Sequence, residues 1–443
     1  MAKNKSVLVC QQCGHNAQTW LGKCPSCGAW NSFVEERGEA APARKAAVAS
    51  RARPITEVAA SDGSEVRLRI GIGELDRVLG GGLVTGSLTL VGGDPGVGKS
   101  TLLLATMDAF ARRGIRVLYA SAEESARQVR LRAERLGVMS DALYLLADTS
   151  LDAVSAAVDD VKPRVLVIDS VQTVHSPELD GVPGSLGQVR EVASRAMAIS
   201  KQKDVATFLV GHVTKEGNLA GPRTLEHMVD TVLYVEGDGS SALRVVRATK
   251  NRFGSTGEIG LFEMREEGLV EVPDASARLL QERLPGAPGT VVTCAMVGAR
   301  PVLVEVQALV GQASPGNPAR TVIGFDRGRL SMILAVLGRS GLHLGERDVF
   351  VSVAGGLRVD EPAADLAVAL AIASSARGEP LPSDLVAFGE IGLVGEVRGV
   401  GQPALRLKEA ERHGLRQAWV PASVASEGRM QVRGVRRVME VLG

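Results

Sequence analysis

Gly93, Asp94, Pro95, Gly96, Val97, Gly98, Lys99, Ser100 and Thr101 read G-x-x-x-x-G-K-[ST] without interruption. This is the spacing with which a backbone wraps a chain of phosphates. Glycine lets main-chain N–H groups approach the phosphate oxygens, and the following helix adds the positive end of its dipole. Lys99 supplies a cation, and the Ser100 hydroxyl is a ligand for the Mg²⁺ that accompanies a nucleoside triphosphate. Such a loop works only between a strand and a helix. Leu88, Thr89, Leu90 and Val91 supply a strand-like run and residues 101–112 a helical one. The expected ligands are ATP and Mg²⁺.

Carboxylates follow at the tips of further apolar runs. Residues 164–170 place four apolar side chains before Asp169, where an acid holds Mg²⁺ through water. The run 116–121 is followed by Glu123 and Glu124; Glu123 is the preferred carboxylate for orienting and deprotonating water, and Glu124 is its rival. A fourth run, 206–210, leads through Gly211 to His212, positioned to sense a γ-phosphate. The loop-like stretches 172–188 and 214–224 follow two of these strands, and Arg190, Lys215 and Arg223 are candidate phosphate contacts for a polymer. Lys250 and Arg252, in Lys250-Asn251-Arg252-Phe253-Gly254, stand at i and i+2 of an extended run and project to one side. A pair of that kind suits the γ-phosphate of a neighbouring subunit, which implies a ring.

A separate chemistry opens the chain. Cys10, Cys13, Cys24 and Cys27 form two C-x2-C pairs, each followed by glycine. Two residues between thiolates let one turn present both sulfurs to a tetrahedral Zn²⁺. His15 is read as a bystander to a complete four-cysteine set. A module this small folds largely through its metal. Trp20, Trp30, Lys3, Lys5 and Lys23 make it a docking knuckle for protein or nucleic acid.

The elements that must hold these groups set the architecture. Across 443 residues the chain is 45% hydrophobic and 23% charged, with net charge +1, so contact with nucleic acid requires local basic patches. Apolar runs fall short of the roughly 18 residues that span a bilayer, and the first residues lack a signal-peptide core, which points to a cytoplasmic protein with no membrane role. The expected fold is α/β: a C4 zinc ribbon over 1–34, a flexible linker over 35–54 and an ATPase core over 55–273. In that core a parallel sheet carries helices on both faces. After a Pro/Gly hinge, 285–443 forms an α+β domain with an apolar helix over 363–376; Cys294 is read as a buried core thiol.

The C4 motif, GDPGVGKST, SAEES, VLVIDS, GHVTKEG and KNRFG together resemble the bacterial RadA (Sms) DNA-repair family over essentially the whole chain. The resemblance implies a RecA-type ATPase core, hexameric rings similar to DnaB-type helicases, and ATP-dependent action on single-stranded and branched DNA in homologous recombination. It carries Lys99, Ser100, Asp169, Lys250 and Arg252 into those roles, and implies a RecA-type recombinase filament and replication proteins as partners. Residues 348–443 resemble the proteolytic domain of Lon proteases. Ala363 stands at the serine position and the lysine position falls near Ala404, so no peptidase dyad is expected. Arg406, Lys408, Arg412, Arg416, Arg429, Arg433, Arg436 and Arg437 make the C-terminal quarter locally basic, a candidate DNA path. The alternative to a motor is an ATP-switched scaffold that assembles recombination proteins without moving along DNA.

Overall fold

A computed structural model describes residues 6–12, 15–17, 19–37, 67–211, 224–237, 242–313, 318–425 and 428–442. The chain divides into two compact units, one ending at Glu271 and the other running from Val272, with the short stretch Asp238–Leu243 assigned to the second. Among the described residues no helix is long and apolar enough to cross a membrane.

The ribbon consists of β1 (Ser6–Cys10), β2 (Asn16–Ala17) and β3 (Phe33–Arg37), antiparallel in the order β2-β1-β3. Strand β3 runs three residues into the segment expected to be linker, because Ser6 pairs with Arg37 and Val9 with Val34 along the full length of β1. The remainder of that linker lies outside the described residues.

A short hairpin of β4 (Arg67–Leu68) and β5 (Leu83–Val84) precedes the main sheet. That sheet contains β6 (Leu88–Gly93), β7 (Val117–Ser121), β8 (Leu143–Ala147), β9 (Val165–Asp169), β10 (Ala206–Val210), β11 (Thr231–Glu236), β12 (Leu243–Asn251), β13 (Ile259–Arg265) and β14 (Gly268–Glu271). The order is β14-β13-β12-β11-β6-β10-β9-β7-β8, with β11 through β8 parallel and the β11–β12 and β13–β14 pairs antiparallel. Every residue of β6, β7, β9 and β10 is buried, as expected for parallel strands covered on both faces. Successive side chains point to opposite sides. Val167 and Phe208 join Leu103, Met107 and Phe110 in one core layer, while their neighbours Ile168 and Leu209 join Leu90 and Val192 in the other. The polar stretch after β9 is shorter than expected. Helix Leu186–Lys203 begins inside it, and Gln188 turns back to bond the backbone of Ser176 and Leu179.

The second unit is built on β15 (Thr290–Val297), β16 (Arg300–Gln312), β17 (Arg320–Ile323), β18 (Arg347–Val353), β19 (Leu385–Ala387), β22 (Gln417–Pro421) and β23 (Gln431–Val435), ordered β17-β18-β16-β15-β19-β22-β23. The small pair β20 (Glu390–Ile391) and β21 (Val397–Arg398) stands apart. The expected apolar helix is Asp365–Arg377, buried continuously from Asp365 to Ser374. Asp365 lies fully buried at its start, where its carboxylate accepts from Arg329 Nε at 2.8 Å and from the Ile391 amide at 3.1 Å.

One expectation is overturned here. The sequence places Arg406 in the basic C-terminal surface, yet it is 1% exposed. Its guanidinium forks onto Glu361 at 2.7 and 2.6 Å, bonds the Cys294 carbonyl and lies 5.8 Å from the Phe388 ring centre. It is a core residue because planar bidentate pairing satisfies its charge without water. Cys294 is buried as expected, and burial pushes its thiol up to about 12.

Candidate active site and metal centre

The phosphate loop occupies the turn between β6 and helix Lys99–Ala111. Gly93 (φ +148°) and Gly98 (φ +111°) have backbone angles that L residues rarely adopt. Each is also packed too closely for a side chain: a Cβ would lie 2.4 Å from the Val235 carbonyl at Gly93 and 2.8 Å from Met264 Cε at Gly98. The loop's outer residues Asp94, Pro95 and Gly96 are exposed, Val97 is buried, and Ser100 and Thr101 are half-buried in the first helical turn. Lys99 is buried and donates to the carbonyls of Gly93 (2.7 Å) and Asp94 (3.0 Å). Burial lowers its pKa; Asp169, Glu123 and Asp94 act in the opposite direction.

The carboxylates converge on the same edge of the sheet. Residues Ser121 and Asp169 are register partners at the ends of the adjacent strands β7 and β9, and the Ala122 amide donates to the Asp169 carbonyl at 2.7 Å. Glu123 accepts a hydrogen bond from Ser170 Oγ, beside Asp169. Glu124 turns away and forms an ion pair with Arg132. Sequence reasoning missed Tyr119, whose hydroxyl donates to Asp169 Oδ2 at 2.6 Å from a fully buried position on β7. Burial and the adjacent Asp169 raise its pKa well above the ordinary phenol value. The available signal was a phenol inside an otherwise aliphatic buried strand, since a buried hydroxyl requires a partner. His212, Lys215 and Arg223 lie outside the described residues; Arg190 is half-buried on helix Leu186–Lys203.

Lys250 and Arg252 occupy the other edge. Asn251 pairs with Thr231 at the beginning of β11, whereas Gly93 pairs with Val235 near its end. The four residue steps from Thr231 to Val235 separate those levels by roughly 13 Å at about 3.3 Å per residue. Lys250 Nζ donates to the carbonyls of Glu226 (2.7 Å) and Val229 (2.8 Å), and its pKa is lowered by burial and then by Arg252. Arg252 pairs with Asp230 at 3.0 Å while remaining half exposed. Asn251 Oδ1 accepts from the Phe253 amide at 2.9 Å, closing the turn that carries both cations.

In the ribbon, the ligand atoms of Cys10, Cys24 and Cys27 lie within 4.8 Å of one another, with Cys10 and Cys24 buried. Three convergent thiols over so small a core fit a tetrahedral thiophilic ion. Cys13 lies outside the described residues. His15 stacks edge-on against Phe33, with ring centres 6.5 Å apart, and does not join the thiol cluster.

Three family models match: an AAA domain over residues 71–218, a rubredoxin metal-binding domain over 9–35, and subunit ChlI of Mg-chelatase over 313–424. The DNA repair protein RadA of Bacillus subtilis (strain 168) is 48% identical over 456 residues, covering 100% of this chain and 99% of its own. The chain belongs to the RadA family of DNA repair proteins. RadA proteins of Streptococcus pyogenes serotype M3 (49% over 450 residues) and Listeria monocytogenes (48% over 452) likewise match 100% of this chain, at 99% and 98% of their own lengths. A solved KaiC-like protein of Pyrococcus horikoshii OT3 matches 47% of this chain and 99% of its own at 22% identity, with a TM-score of 0.39. This RadA-family chain is a P-loop ATPase that uses ATP and Mg²⁺ and carries a Zn²⁺ ribbon.

Proposed function

We propose that the chain is a cytoplasmic DNA-dependent ATPase of homologous recombination, assembled as a DnaB-like hexameric ring that acts on single-stranded DNA and drives branch migration. The observation that carries this reading is the opposition of two edges of one sheet. Lys99, Glu123 and Asp169 stand at the carboxyl edge, and Lys250 with Arg252 at the amino edge, roughly 13 Å away along the strands. Both cations are held at that amino edge, Lys250 by the Glu226 and Val229 carbonyls and Arg252 by Asp230, opposite their own phosphate loop, and an adjacent copy in a ring provides the site they fit.

Within each site, Mg²⁺ bound with the nucleotide neutralises charge on the phosphates and orients them. Ser100 and Asp169 are the residues to hold it, and Tyr119 positions the Asp169 carboxylate by fixing Oδ2. Lys99 leaves its carbonyl partners for the phosphate oxygens, where a poorly hydrated cation interacts strongly. Glu123, tethered by Ser170, orients the attacking water and takes its proton on a carboxylate oxygen; the pairing of Glu124 with Arg132 supports this choice. Lys250 and Arg252 stabilise charge developing at the neighbouring subunit's γ-phosphate, and His212 is the proposed sensor. The recombinase filament and replication proteins are the proposed partners. Peptide hydrolysis is not expected of residues 285–443. Ala363 is buried, Ala404 is apolar, and the core nearby is closed by the Arg406–Glu361 pair.

The test is a three-strand junction with one labelled strand. The expected result is ATP-dependent extension of the branch in a single direction by the intact protein. ATP-dependent assembly of recombination proteins without strand movement would instead establish the scaffold reading.

A further inference from the structure

Aromatic residues make up only 3% of this chain, yet two of its three tryptophans stand in solvent on the zinc ribbon. Trp20 is 59% and Trp30 71% exposed. An indole left in water forgoes a large burial gain, so two such residues on one small module call for a partner. Both rings reach Gly22 from different parts of the chain. A Cβ at that position would lie 3.7 Å from the Trp20 ring and 4.0 Å from the Trp30 ring. The metal knuckle holds them there: Asn31 N donates to the Gly22 carbonyl at 2.8 Å, Cys24 N to the Ala29 carbonyl at 2.8 Å, and Lys23 bridges Trp30 across the turn. The Lys23 ammonium lies 5.5 Å from the Trp30 ring centre. Residues 1–34 carry Lys3, Lys5 and Lys23 and no acid, and the ribbon's two acids, Glu35 and Glu36, stand on β3 after both tryptophans in the sequence.

We propose that Trp20 and Trp30 form a stacking platform for the unpaired bases of a single-stranded nucleic acid, with Lys23 set against the adjoining phosphate. Every base has a π face, so two indoles flanking a glycine bind a single strand without reading its sequence, whereas a duplex keeps those faces covered. A lysine beside the ring adds charge attraction without geometric demand. The lysine beside the Trp30 ring favours a polyanion at this end of the ribbon over an apolar protein groove. The inference rests on the DNA-directed reading above and assigns that reading a second contact, on the ribbon rather than on the ATPase sheet.

The test uses the full-length protein, an oligo-dT and an abasic oligomer with the same number of phosphates, at fixed salt. Trp20→Ala with Trp30→Ala is expected to weaken oligo-dT binding by about fivefold or more for each ring removed. Binding of the abasic oligomer and the salt slope should stay unchanged, with one Zn²⁺ per chain retained. A second readout needs no ribbon substitution: in Trp419→Phe protein, emission from the two remaining indoles should be quenched by oligo-dT and not by the abasic oligomer. Unchanged oligo-dT affinity and unquenched emission, in a protein whose hydrolysis still responds to single-stranded DNA, overturn the platform and leave the motor reading standing. Loss of binding to a recombinase filament, with DNA affinity intact, also overturns it and makes the ribbon a protein dock. Failure of the intact protein to bind single strands at all overturns the DNA-directed reading itself.

Discussion

Lys99→Ala is expected to reduce the rate of ATP hydrolysis by about 100-fold or more, the order seen when a preorganised charge stabiliser is removed from a buried site. The cause is local. Lys99 is 5% exposed and is already aimed at the inner face of the phosphate loop through the Gly93 and Asp94 carbonyls. Bringing it to the phosphates therefore requires little reorganisation. Alanine at 99 leaves both loop glycines, whose left-handed backbone and close packing exclude a side chain, in place. Steady-state hydrolysis, together with a thermal melt to confirm unchanged folding, checks this. A variant retaining more than about a tenth of the activity would remove Lys99 from the chemistry.

Arg406→Ala carries the largest expected cost in stability, about 3 kcal/mol, because it removes the only cation paired with Glu361 among the described residues, leaving that carboxylate the Met296 amide, and it deprives two carbonyls of the donor that Arg406 supplies from a 1% exposed position. The packing on Phe388 is lost as well. Substituting Arg406→Met together with Glu361→Gln should cost less, since no unpaired charge remains. Urea unfolding of the full chain, with hydrogen exchange followed in Leu385–Ala387 and Gln417–Pro421, reads the unit in which the pair sits. A change in unfolding free energy below about 0.5 kcal/mol for Arg406→Ala would place the pair with ordinary surface ion pairs.

Much of the ATPase core was legible because its signals are local. Glycine spacing marks the phosphate loop, and short aliphatic runs ending in Asp169 or before Glu123 mark strands buried on both faces. The same runs placed the carboxyl edge of the sheet, where those groups meet. Nonlocal pairing was harder to read. Tyr119 looks like one more core aromatic until β7 and β9 are set side by side and its hydroxyl falls on Asp169. Arg406 looks like surface charge because its partner, Glu361, lies 45 residues earlier. Likewise, i and i+2 spacing gives the common side of Lys250 and Arg252, but only the antiparallel turn of β12 along β11 shows that they lie at the far edge from their own loop. The different surroundings of Glu123 and Glu124, Ser170 for one and Arg132 for the other, were equally out of reach of local spacing.

The most direct test of a ring motor with shared sites is ATP hydrolysis with and without single-stranded DNA. It should be measured at fixed salt for the intact protein, for Lys99→Ala, for Arg252→Ala, and for an equimolar mixture of the two variants. The account predicts DNA-stimulated hydrolysis in the intact protein, loss of that stimulation in each variant alone, and partial recovery in the mixture. In mixed rings, some interfaces join an intact phosphate loop from one variant to an intact Lys250–Arg252 pair from the other. Hydrolysis indifferent to DNA, or normal stimulation in Arg252→Ala alone, would contradict it.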